Sequence, residues 1–227
     1  MFSVALIGPD GAGKSTISEL LERQPMPAPV KRIYMGVNLE ASSLMLPTTR
    51  LALALKSARG RRSDMTAPSQ QPVPAAGSPV RRVAKAGVRG ARLVLWLAEE
   101  WFRQIVAEYH RRRGSIVVFD RHFYADYYHF DVATEGRRPL ASRVHGYLLE
   151  HAYPKPDLVI CLDAPGAVLF ARKREASPEW LEQRRRQYLR LAEVVPSFVV
   201  VDVDRPLDLV ARDVATVITE FSEKRRA

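Results

Sequence analysis

Apolar and polar positions alternate in blocks along this chain, and the block lengths separate strands from helices. Phe2–Ile7 (FSVALI) is a continuous apolar run of strand length, and Lys14–Arg23 (KSTISELLER) has helical spacing. KRIYMGV (31–37) reads as a short second strand, and LPTTRLALALKSA (46–58) as a helix. Residues 81–113 read as largely helical; their later part is amphipathic, with Leu93, Leu97, Phe102, Ile105 and Val106 expected in the core. A basic turn and Gly114 should stop that helix. SIVVFD (115–120), DLVICLD (157–163) and FVVVD (198–202) read as three more strands. Helices are expected over 139–153, 166–175, 179–195 and 206–224, with a break at Ser177-Pro178. In the last helix, Leu209, Val210, Val214, Val217 and Ile218 lie on one side. Strands alternating with helices predict an α/β domain whose parallel sheet is covered on both faces.

One stretch breaks the pattern. Residues 57–80 are rich in Pro, Gly, Ser, Gln and Arg and poor in large apolar side chains. Such a stretch buries too little surface to offset its ordering entropy. It is expected to be a flexible insertion within a single domain spanning 1–227. Charge sharpens the picture: the chain carries a net +10, yet residues 50–92 hold ten Arg/Lys against one Asp. The basicity therefore belongs to one segment. Its flanks suit a nucleic acid, an anionic membrane or an acidic substrate. No aromatic residue interleaves the charges, so a solvated insertion without a partner is the simpler reading.

Composition excludes several classes. No apolar run approaches 18 residues, so no transmembrane helix is expected. The first apolar residues lack a charged leader and a cleavage site, and read as a strand rather than a signal peptide. Cys161 is the sole cysteine, which leaves no intrachain disulfide and no zinc cluster. A cytoplasmic protein is the simplest expectation.

The candidate chemistry starts where the first strand stops. Gly8, Gly13, Lys14 and Ser15 fit G-x-x-x-x-G-K-[ST], the phosphate-binding loop. Gly8, Gly11 and Gly13 let the backbone turn tightly and bring N–H groups onto phosphate oxygens. The helix after the loop presents its positive end to the same anion. Lys14 can reach the β- and γ-phosphates, and the Ser15 hydroxyl can ligate Mg²⁺. The ATP-binding set is thus Gly8, Asp10, Gly11, Ala12, Gly13, Lys14, Ser15 and Thr16, with ATP and Mg²⁺ as cofactors.

In an open parallel sheet the ligand lies beyond the carboxyl ends of the strands. The third strand ends in Asp120-Arg121. Asp120 there can hold Mg²⁺ or accept a hydroxyl proton, and Arg121 can clamp a phosphate. Phe123, Tyr124, Tyr127, Tyr128 and Phe130 follow; such a set is usually core, although Tyr124 is placed to meet an acceptor. His122, His129 and Asp131 have no metal-ligand spacing. Asp163 should cap the next helix or hold a loop. Arg172, Lys173 and Arg174 before the Ser177-Pro178 break, and Arg184–Arg186 after it, suit a lid that brings cations to the γ-phosphate.

These residues resemble the thymidylate kinase family of nucleoside monophosphate kinases. GPDGAGKST is similar to its G-x-D-G-x-G-K-[ST]-T loop, and VVFDRHFYAD to its D-R segment after the third strand. PDLVICLDAPGAVLFARK resembles its fourth strand and the approach to the lid. EWLEQRRRQYLRLAEV and VVVDVDRPLDLVARDVATVI resemble the region from lid to end. The resemblance implies a P-loop kinase three-layer sandwich with a five-stranded parallel sheet in order 2-3-1-4-5. It implies that Asp10 faces the acceptor's sugar hydroxyl, that Arg121 binds the acceptor phosphate, and that the lid supplies the catalytic arginine, with Arg172 and Arg174 nearest. It also allows a homodimer. Two departures stand out. YMGVNLEASS replaces the family's R-E-P-G, and AEEWFRQ puts Trp101 near an expected acceptor-side arginine, with Arg103 two residues on.

The residues suit three functions. The first is transfer of the γ-phosphoryl group of ATP to a (deoxy)nucleoside monophosphate such as dTMP. The second is a kinase of the same fold acting on a nucleoside, sugar or lipid-linked hydroxyl, with Asp120 as general base. The third is a nucleotide-dependent switch or nucleic-acid-binding NTPase that uses the basic segment.

Overall fold

The computed structural model describes residues 1–36, 44–58, 79–132 and 139–226. The strands are β1 (Ser3–Ile7), β2 (Val30–Tyr34), β3 (Ile116–Asp120), β4 (Leu158–Asp163) and β5 (Phe198–Asp202). The helices are α1 (Lys14–Arg23), α2 (Pro47–Ala58), α3 (Pro79–Arg112), α4 (Phe123–Tyr127), α5 (Leu140–His151), α6 (Gly166–Arg172), α7 (Pro178–Leu189) and α8 (Leu207–Lys224). α4 runs on as a π turn over Tyr128–Val132, and α7 as a 3-10 turn over Arg190–Glu193. The strands form one sheet in the order β2-β3-β1-β4-β5, and every pairing is parallel. The expected order is therefore present. Most of the insertion, residues 59–78, lies outside the described residues, and with it the question of its partners.

Alternation along the central strands builds two cores. Val4 and Leu6 face one side with Ile17, Leu21, Val210, Val214 and Ile218 from α1 and α8. Ala5 and Ile7 face the other with Phe119, Phe123, Leu149, Tyr188 and Leu191. Burying each such aliphatic or aromatic side chain contributes about 1.5–3 kcal/mol. Cys161 sits in this second core, and burial pushes its thiol up to about 12. Among the described residues no helix is long and apolar enough to cross a membrane.

Local signals explain the element ends. α3 closes in a Schellman turn: Gly114 has φ +88°, its N–H donates to the Arg111 carbonyl, and Ser115 N–H donates to His110. That turn feeds the chain straight into β3. α7 begins with Ser177 as cap, whose Oγ accepts from Trp180 N–H at 3.3 Å, and with Pro178 in the first turn.

One expectation fails. Ile105 is 64% exposed, whereas the buried stretch of α3 is Glu99, Glu100, Arg103, Gln104 and Ala107. Leu93, Leu97, Phe102 and Val106 are half-buried, Val106 against the second core, so of the five residues expected in the core Ile105 alone faces solvent. Here α3 passes the carboxyl ends of β2 and β3, where polar side chains fill the space and bond to one another.

Candidate active site

The loop between β1 and α1 is shaped by backbone contact. Gly8, Gly11 and Gly13 have φ of +139°, +87° and +83°. A Cβ on Gly8 would lie 2.4 Å from the Leu162 carbonyl oxygen, and one on Gly11 would lie 2.8 Å from that of Leu169. The loop thus leans directly on β4 and α6. Ala12 is buried, and Ser15 and Thr16 open the first turn of α1 with their side chains exposed.

Lys14 is buried and its Nζ donates to the Gly8 and Pro9 carbonyls at 2.6 and 2.7 Å. Burial, with Arg121 nearby, lowers its ammonium to about 8; Asp10, Asp126 and Asp120 oppose that shift. Arg121, alone among the described non-glycine residues, has a positive φ, 67°. That left-handed turn at the end of β3 is a sparsely populated conformation for a side chain of this size. It aims the guanidinium back at the loop, where Nη2 donates to Asp10 Oδ1 at 2.5 Å. Burial alone would raise the Asp10 carboxyl; Arg121 and Lys14 outweigh it and hold the group below its ordinary value.

Asp120 is buried at the end of β3, and its Oδ1 has no hydrogen-bond partner among the described residues. Its Oδ2 lies 3.9 Å from Arg32, which also pairs with Glu19 at 3.0 Å. An unpartnered buried carboxylate oxygen, with the Ser15 hydroxyl exposed at the start of α1, fits a Mg²⁺ that draws most of its ligands from phosphate and water. No group of three His, Cys, Asp or Glu side chains among the described residues forms a closed metal cage.

Beyond this floor lies a second carboxylate. Asp126 on α4 is buried, and its Oδ1 accepts from the Tyr188 hydroxyl of α7 at 2.7 Å. Burial raises its carboxyl despite that bond. Arg184 donates to the Tyr188 hydroxyl at 3.1 Å and to Gln187 at 2.7 Å. α7 is stitched down at its other side as well. Arg185 forks onto Asp163 at 2.7 and 2.8 Å, and Glu182 accepts from Gly166 N–H at 3.2 Å. Asp163 therefore holds the arginine helix rather than capping α6, whose cap is Pro165.

The remaining site candidates divide. Arg172 donates to the Val203 carbonyl at 2.8 Å, just past the end of β5. Arg174 is exposed between α6 and α7. The charge of that cluster felt at Asp10 is that of Lys173. Arg103 is not offered to an acceptor either: it is 2% exposed, donates to the Gly36 carbonyl at 3.2 Å and pairs with Glu99 at 3.5 Å. Tyr124 lies in α4, but its side chain is outside the described atoms. Sequence reasoning passed over Arg32, Glu99, Asp126 and Tyr188. A polar residue inside an apolar pattern was the only available signal for Asp126 and Glu99.

A solved structure, that of deoxyadenosine kinase from M. mycoides with bound dATP, superposes with a TM-score of 0.50 over 96% of this chain and 99% of that one, at 15% identity. With the strand order and the phosphate loop in place, this decides the fold. The chain is built as a P-loop kinase. No family model matches it. A curated relative, a probable thymidylate kinase from Archaeoglobus fulgidus, is 33% identical over 115 residues, which cover 48% of this chain. The chain spans 55% of that relative's length. The sequence likeness is thus to a probable thymidylate kinase over about half of the chain, and the likeness in fold is to a deoxyadenosine kinase.

Proposed function

We propose that the protein is an ATP-dependent kinase that moves the γ-phosphoryl group to a small acceptor, a (deoxy)nucleoside monophosphate such as dTMP. The observation that carries this reading is the Asp10–Arg121 pair. It joins a P-loop carboxylate to a cation at the end of β3, above Lys14, so donor and acceptor groups share one floor. The β- and γ-phosphates would rest on the loop N–H groups at the start of α1, with Lys14 transferred from the Gly8 and Pro9 carbonyls to the anion. Arg121 would clamp the acceptor phosphate and Asp10 would meet the acceptor's sugar hydroxyl. Ser15 and Asp120 would hold Mg²⁺, which supplies charge neutralisation across the phosphates. Lys173 is the lid cation whose charge acts on Asp10.

One observation favours a second reading, phosphoryl transfer to a nucleoside hydroxyl. Arg103 is engaged with Glu99 and Gly36, which leaves less positive charge for an acceptor phosphate. The buried, unpartnered Asp120 oxygen suits a base for a hydroxyl proton. ATP consumption measured against deoxynucleoside monophosphates, nucleosides and sugars, with Lys14→Ala as control, separates the two. Turnover with a monophosphate supports the first reading, and turnover with nucleosides alone supports the second. No acceptor raising turnover above the control would sink both.

A further inference from the structure

We propose that Glu99 and Arg103 are positioning residues: from one turn of α3 they fasten Gly36 and the start of α2, and through Gly36 they fix where Arg121 stands. The inference rests on the kinase reading for its consequence, but not for its geometry.

The two side chains are an i,i+4 pair, 1% and 2% exposed, on a single helix. Glu99 works toward α2. Its Oε2 accepts from Leu46 N–H at 3.0 Å and from the Thr49 hydroxyl at 2.8 Å. α2 opens on Pro47 with no acidic residue in its first turn, so Glu99 supplies from another helix the acceptor that a helix start needs. Arg103 works the other way: its Nη1 donates to the Gly36 carbonyl at 3.2 Å, and its Nη2 returns to Glu99 at 3.5 Å.

Gly36 transmits the grip. It lies two residues past β2, next to Met35, whose N–H donates to the Asp120 carbonyl at 3.2 Å. A Cβ there would stand 2.5 Å from the Tyr34 hydroxyl and 2.7 Å from Arg121 Cδ. The Gly36 backbone is therefore a wall against which the Arg121 side chain rests, and the guanidinium beyond that contact meets Asp10. A chain of contacts runs from α3 through Gly36 and Arg121 to the phosphate loop.

A buried ion pair is weak support for stability, since apolar side chains of similar volume often do as well. What such a pair supplies here is direction: it fixes two backbone groups on different elements in one orientation.

The test uses the full chain with Arg103→Gln and, separately, Gly36→Ala. Gly36→Ala pushes on Arg121 without touching Arg103, and the atoms it meets are side-chain atoms that can move. Both variants should raise the acceptor KM by on the order of tenfold to a hundredfold, with ATP affinity within about twofold. Their combination should exceed the larger single effect only slightly, since they act on one path. Arg103→Gln should also speed amide exchange at Met35 by about tenfold, with β1 unaffected. Should Arg103→Gln fail to fold, Arg103→Lys, which keeps the charge but loses the two-armed reach, carries the same measurements. Unchanged exchange at Met35, or equal losses for ATP and acceptor, would overturn the proposal. Absence of any acceptor for the wild type would sink the kinase reading alone and leave the exchange test standing.

Discussion

The two halves of the site are built by different means. The donor half is backbone: three glycines with positive φ, two of them, Gly8 and Gly11, pressed against the Leu162 and Leu169 carbonyls. The acceptor half is buried charge. Glu99 pairs with Arg103 on α3, Asp126 of α4 with Tyr188 of α7, and Asp120 ends β3 with one carboxylate oxygen unpartnered among the described residues. A backbone device must be local in sequence, because the chain itself makes the turn. A side-chain device can be assembled from residues far apart in sequence, as Asp126 and Tyr188 are at 62 positions. The first tolerates little substitution; the second can be rewired while the fold persists.

The largest expected effect falls on the donor half. Lys14→Ala should lower turnover by about a thousandfold, the scale of losing one preorganised charge contact. Its melting temperature should not fall, because the buried ammonium is satisfied only by two carbonyls. Next comes Gly8→Ala, which puts a Cβ against the Leu162 carbonyl at φ +139° and should cost about 2–3 kcal/mol in chemical denaturation.

The pH dependence of the same half is smaller and has two signs. Lys14 titrates near 8 in the folded protein, against 10.5 for the ordinary group. ATP affinity should therefore fall by up to about tenfold per pH unit above 8, because the free protein loses the proton that phosphate needs. Stability without nucleotide should instead rise between about 8 and 10.5, where the unfolded chain binds more protons than the folded one. Lys14→Met should abolish that rise in urea titrations; its persistence in the variant would assign it to another group.

In the acceptor half, Tyr188→Phe removes the donor to Asp126 Oδ1 and should cost about 1–2 kcal/mol at pH 7. The loss should shrink as pH falls, since a protonated Asp126 no longer needs the hydroxyl. Equal losses at pH 5 and 7 would show that Asp126 is already neutral in the folded state. The smallest effect is Ile105→Ser, expected within about 0.5 kcal/mol because the side chain faces solvent.

The contrast also accounts for what could be read from the chain. The five strands, their order through the family resemblance and the phosphate loop were legible, because each is written in consecutive residues. Strand ends fell within a few residues, and Asp120-Arg121 was found because the chemistry of parallel sheets collects there. The role of α3 was not legible. Its apolar residues are half-buried, apart from the exposed Ile105, whereas the most deeply buried positions are Glu99, Arg103 and Gln104. Polar burial leaves no periodic signal, since each charge is made tolerable by a partner that the sequence places elsewhere. The cations at the end of α6 were hard to place for a related reason. Arg172 and Lys173 are neighbours, and only the backbone path decides that Arg172 meets Val203 while Lys173 is felt at Asp10.

The burial of Cys161 has a practical consequence. With its thiol shielded in the second core and pushed up to about 12, the chain offers alkylating dyes no competing thiolate at neutral pH. A cysteine placed at an exposed position, such as Arg186→Cys on α7, would be labelled alone in the wild-type background. Paired with a second such position on α1, it would give a two-dye ruler for watching whether α7 shifts against the phosphate loop as nucleotide is added.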